Sequence, residues 1–168
     1  MPPLKQNLVL VVDDTPINIS VISEVLKDSF RIKVATNGKT ALAMARAPDK
    51  PDLILLDVVM PGMDGFEVCR HLKAAPTTRE IPVIFLTGVT DAENEEKGFE
   101  IGAVDYIHKP FSAPIVLVRV RTQLALQAAG MGLSICRSIV ASHGGRITVA
   151  KGVPHGSVFQ LILPGDRR

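Results

Sequence analysis

At 168 residues, 46% of them apolar and with a formal net charge of +2, the chain holds one ordinary domain and a small addition, and no electrostatic footprint for nucleic acid. Aromatic residues make up only 4%, too few for stacking on single strands. No apolar stretch approaches the ~20 residues of a membrane helix, the start lacks a long apolar leader, and Cys69 and Cys136 have no metal-type spacing, so the expectation is a cytoplasmic protein with reduced thiols.

Up to residue 127, short apolar runs alternate with helical patterns, as in βα units around a parallel sheet. The runs predict strands at residues 7–12, 31–36, 52–57, 81–86 and 104–107, carrying Leu8 to Val12, Ile32 to Val34, Leu53 to Leu56, Val83 to Leu86 and Tyr106-Ile107. The first, third and fourth are the most apolar, which suits strands covered on both faces. Helices are predicted at residues 16–28, 38–47, 64–74, 91–101 and 112–127. Thr15-Pro16 offers an N-cap followed by proline in the first turn, Asn37-Gly38 is a turn pair, and Asp91 and Ser112 are further N-cap candidates. The fifth helix opens with Ile115-Val116-Leu117-Val118, apolar all round where a surface helix shows one stripe. Local excess hydrophobicity and a second contact surface both account for it.

Acids punctuate the ends of two strands. Asp13-Asp14 follows the first apolar run and Asp57 closes the third. An open parallel sheet presents its chemistry at the carboxyl ends of its strands, and with these two strands adjacent the three carboxylates converge. Crowded like charges force proton uptake unless a cation joins them, so the pattern points to a divalent ion and to phosphate chemistry on one acid. A helix N-terminal role for the acidic pair is the plainer alternative, but it leaves Asp57 and Lys109 without a purpose. His71, His108, His143 and His155 have no ligand spacing and read as surface or packing residues.

Four pieces, Val11-Val12-Asp13-Asp14, Leu56-Asp57-Val58-Val59-Met60-Pro61-Gly62-Met63-Asp64-Gly65, Leu86-Thr87-Gly88 and Asp105-Tyr106-Ile107-His108-Lys109-Pro110-Phe111, follow one another at successive strand ends. In that order they resemble a response-regulator receiver domain over residues 1–127. The resemblance implies a flavodoxin-like, doubly wound five-stranded parallel sheet of order 2-1-3-4-5. It makes Asp57 the phospho-acceptor for a histidine kinase or phosphotransfer protein, with Mg2+ held by Asp14, Asp57 and the Val59 backbone carbonyl and reached by Asp13 through water. Lys109 becomes the cation for the phosphoryl oxygens, Thr87 a hydroxyl donor, and Gly88 the room for the group to enter. Tyr106 is either a packed ring at a strand edge or a switch that turns inward as Thr87 moves toward the phosphate. The Lys109-Pro110 bond resembles a junction that is often cis in this family.

After Gln127 the pattern changes to an α-β-β tail spanning residues 128–168. A helical run goes from Leu133 to about Ser142, and strand-like runs cover residues 146–150 and 157–163. Gly130-Met131-Gly132 through His143-Gly144-Gly145-Arg146-Ile147, with Gly156 to Pro164, resembles the last third of a sensor histidine kinase ATP-binding domain. The rest of that domain is missing, so ATP binding is not expected. An abrupt junction of two such pieces suggests an engineered or rearranged chimera. Leu133, Cys136, Ile139 and Val140 on the tail helix, and Phe159, Leu161 and Leu163 on its last strand, form apolar stripes, so the tail or helix five could serve a homodimer. The leading reading is a phospho-acceptor without external turnover. The alternatives are a chimeric scaffold with no signalling output and a small ATP-binding, kinase-like protein.

Overall fold

The computed structural model describes residues 6–88, 92–128, 146–151 and 157–162. The chain divides into two compact units, Met1–Leu124 and Ala125–Arg168.

The first unit alternates strands and helices: β1 (Leu8–Val12), α1 (Pro16–Leu26), β2 (Arg31–Ala35), α2 (Gly38–Arg46), β3 (Leu53–Asp57), α3 (Gly65–Ala74), β4 (Val83–Thr87), α4 (Ala92–Ile101), β5 (Asp105–His108) and α5 (Ala113–Ala128), the last running on into the second unit. The five strands pair in parallel in the order β2-β1-β3-β4-β5, the flavodoxin-like arrangement. Every residue of β1, β3 and β4 is buried. Their period-two alternation sends Leu10, Val12, Ile54, Leu56, Val83 and Phe85 to one face, against apolar residues of α2 and α3. Val9, Val11, Leu53, Leu55, Ile84 and Leu86 go to the other, against Ile22 and Leu26 of α1 and Val116, Val120 and Leu124 of α5. β2, at the sheet's edge, buries only Ala35 fully.

Element ends follow local chemistry, with corrections to the sequence expectation. Thr15 stands at the N-cap of α1 but makes no capping bond. Asn37, expected only as a turn residue, accepts from the Thr40 N–H at 2.8 Å and caps α2. Asp64 and Glu67 form a reciprocal capping box on α3, an arrangement that typically stabilises by about 1 kcal/mol. Gly65 lets α3 begin close under β3: a Cβ there would overlap the Asp57 carbonyl oxygen and stand 2.8 Å from Val58 Cα. The Asp91 cap lies outside the described residues.

The apolar opening of α5 is divided. Val116 is fully buried, whereas Ile115 and Val118 are 49% and 60% exposed. In the second unit, β6 (Arg146–Lys151) and β7 (Ser157–Ile162) pair antiparallel, with Arg146 opposite Ile162 and Lys151 opposite Ser157. The expected tail helix, with Leu133, Cys136, Ile139 and Val140, lies outside the described residues, as do His143 and His155. Among the described residues, no helix is long and apolar enough to cross a membrane.

Candidate functional site

The sheet order reverses between β1 and β3, and the carboxyl ends of these adjacent strands deliver Asp13, Asp14 and Asp57 to one corner. One carboxylate oxygen from each lies within 4.8 Å of the others. Asp13 is 0% and Asp57 3% exposed, while Asp14 is the most accessible of the three. Oxygen-only donors of this charge fit a hard cation, and the three acids form a magnesium site.

Lys109, just beyond β5, completes the corner. Its Nζ lies 3.2 Å from Asp13 Oδ2 and 3.1 Å from Asp57 Oδ2, bridging two acids that would otherwise repel. Asp57 Oδ1 accepts from the Val59 N–H at 3.2 Å. Burial and the Asp13 charge push the Asp57 carboxyl above its ordinary range, while Lys109 and the Val59 N–H pull the other way. Asp13 accepts from the Thr15 N–H at 2.8 Å and from the Asn18 side-chain amide at 3.0 Å. Asn18 escaped the sequence reading: nothing in a helical pattern signals that a first-turn side chain reaches back to the preceding strand end. Among the described residues, no buried side-chain nitrogen or oxygen lacks a partner.

Thr87 ends β4 beside this corner, and its hydroxyl donates to the Gly88 carbonyl at 3.0 Å. The other buried threonine, Thr78, belongs to the α3–β4 connection, where its hydroxyl donates to the Leu72 carbonyl. Tyr106 is 7% exposed, with its ring 5.5 Å from that of Phe85 and 5.0 Å from that of Phe99. Its hydroxyl donates to the Glu95 carbonyl at 2.8 Å, and burial pushes its pKa up. The ring is therefore buried between β4 and α4, packed on Phe85 and Phe99. Gly98 makes that position available, because a Cβ there would overlap Tyr106 Oη and stand 2.8 Å from Cζ.

Two histidine and cysteine readings acquire detail. His108 Nε2 lies 3.0 Å from a Glu95 carboxylate oxygen, a partner the sequence gave no sign of. Cys69 is buried and free, with its thiol pushed up to about 11, which leaves it unreactive. Cys136 lies outside the described residues. The Lys109-Pro110 bond is cis.

A family model for the response regulator receiver domain matches residues 9–121. Over 125 residues, 74% of this chain and 28% of the relative, the chain is 50% identical to a probable cyclic di-GMP phosphodiesterase of Vibrio cholerae. Over 115 residues, 68% of this chain and 25% of the relative, it is 46% identical to the response regulator PleD of Caulobacter vibrioides. It thus spans only about a quarter of these curated relatives. Among solved structures, a putative response regulator from Chloroflexus aurantiacus superposes with a TM-score of 0.69 at 33% identity, covering 72% of this chain and 99% of that one. The signal receiver domain of a histidine kinase from Syntrophus aciditrophicus gives 0.65 at 34% identity, covering 71% and 90%.

Proposed function

The chain belongs to the response-regulator receiver family, and from that premise we propose that Asp57 is the residue that takes the phosphoryl group. A receiver domain accepts phosphate within a two-component phosphorelay from a histidine-kinase-type donor, and it does not turn over an external substrate. The observation that carries the assignment is Lys109, whose ammonium already bridges Asp57 and Asp13.

An Asp57 carboxylate oxygen attacks the donor phosphorus in line. The phosphorus–nitrogen bond of a phosphohistidine breaks, the imidazole leaves and takes up a proton, and an acyl phosphate remains on Asp57. Lys109 follows the developing charge onto the phosphoryl oxygens. Thr87 turns its hydroxyl from the Gly88 carbonyl to another of those oxygens, and Tyr106 is the ring that answers this movement. Asp13, Asp14 and Asp57, with the backbone carbonyl of Val59, are the groups that would hold magnesium. When bound, the ion neutralises charge on the transferring group.

Labelling with acetyl phosphate and magnesium tests the assignment. One phosphate per chain is expected in the parent and none in Asp57→Asn, and a variant that labels like the parent removes Asp57 from the role.

We infer further that the receiver module ends near residue 127 and that residues 130–164 derive from the end of a kinase ATP-binding domain. The glycine pattern and the β6–β7 pair support this, and the chimera reading rests on the juxtaposition of the two patterns. A homodimer contact through α5 is supported by exposed Ile115 and Val118. Cytoplasmic placement is supported by the free, buried Cys69 thiol.

A further inference from the structure

Asp13 and Asp57 are both buried, yet their oxygens are occupied differently. A carboxylate oxygen has two acceptor positions. Asp57 uses one on each oxygen, for the Val59 N–H and for Lys109, and keeps one free on each. Asp13 Oδ2 is filled by the Asn18 amide at 3.0 Å and Lys109 at 3.2 Å, and its Oδ1 accepts the Thr15 N–H at 2.8 Å. Asn18 must present its nitrogen here, since its carbonyl oxygen would meet a carboxylate oxygen head-on. Its backbone N–H meanwhile donates to the Thr15 carbonyl, so the first turn of α1 fixes the amide close to β1.

Resting on the reading of this corner as a magnesium-dependent phospho-acceptor, we propose that Asn18 is a positioning residue for that chemistry. Its amide pins the Asp13 carboxylate and fills Oδ2, so that Asp13 keeps one open acceptor position, on Oδ1, against two on Asp57. It also supplies Asp13 with a second donor, so that Lys109 stays shared between Asp13 and Asp57. Without the amide, Asp13 Oδ2 is left with Lys109 as its partner and draws that ammonium away from the acceptor.

The test uses the full chain, with magnesium binding followed by calorimetric titration and acetyl phosphate labelling followed across a magnesium series. Losing an outer partner of a metal ligand typically costs about 10–100-fold in affinity. Asn18→Ala should therefore bind magnesium at least about tenfold more weakly, and its labelling rate should stay below the parent's even at saturating magnesium, because Lys109 is then drawn toward Asp13. Asn18→Asp keeps the shape but replaces a donor with a charge, and should bind more weakly still. Parental affinity in both variants overturns the inference. So does an Asn18→Asp that binds like the parent, because a side chain kept for packing alone would tolerate the isosteric acid. A parent that neither binds magnesium nor takes label would overturn the reading beneath, and this inference with it.

Discussion

The acidic corner beyond β5 and the aromatic slot around Tyr106 within that strand are built on opposite principles. The corner is polar and held by short-range bonds: Thr15 and Asn18 secure Asp13, and the Val59 N–H secures Asp57. Lys109 then joins the two acids across strands. The slot is steric. The Tyr106 ring meets those of Phe85 and Phe99 at separations worth about 0.5–1.5 kcal/mol per pair. Room for the ring depends on one missing methyl group, at Gly98. Charges in the corner can be redistributed by adding a cation or a phosphoryl group, whereas the slot admits the ring only because Gly98 carries no Cβ.

The largest expected effect breaks the corner. Asp14→Ala removes the most accessible of the three acids and should lower magnesium affinity by at least about 100-fold, beyond the loss typical of an outer partner. A calorimetric titration that finds parental affinity would exclude Asp14 as a ligand.

A change in the slot should be smaller and leave magnesium alone. Gly98→Ala forces the ring out or strains α4, at an overpacking cost of about 1–3 kcal/mol. Tyr106 is the single tyrosine in a chain without tryptophan, so intrinsic fluorescence reports its environment directly. Quenching by iodide should rise in Gly98→Ala, and the stability cost should largely vanish when Tyr106 is also truncated to Ala. Unchanged quenching would mean that Gly98 does not gate the ring.

The pH response sharpens the contrast further. Asp57 is held above its ordinary carboxylate range by burial and by Asp13, so the folded chain binds that proton more tightly than the unfolded chain. Its contribution favours the fold in acid, is complete below the ordinary range, and is lost as pH rises through the raised value. In chelator, Asp57→Asn should therefore gain stability relative to the parent as pH rises from about 4 to about 8. Urea melts that give parallel pH profiles for the two chains would contradict this.

The smallest effect concerns the lifetime of the phosphorylated form. Val59, 77% exposed and two residues beyond Asp57, is apolar and cannot position an attacking water. Val59→Asn should shorten the lifetime about several-fold, measured as loss of label after donor removal, and an unchanged decay would count against a role for this position.

The sequence by itself determined the sheet and the identity of its acids. Runs such as Leu53-Ile54-Leu55-Leu56, bounded by turn residues and alternating with helical patterns, read as buried strands, and an acid closing such a strand falls at the sheet's carboxyl edge. Strand bounds fell within two residues of those observed, because apolar runs end where burial ends. Tertiary structure alone decided what depends on distance across the chain or on a vacancy. The Asn18 amide on Asp13, the His108–Glu95 pair and the split exposure of Ile115 and Val116 arise when a helix is rotated and docked, and periodicity specifies a face without its partner. The Tyr106 slot is the clearest case. A glycine within a helical run reads as a weakened helix, and only the docked ring of Tyr106 reveals that the missing Cβ is the space it occupies.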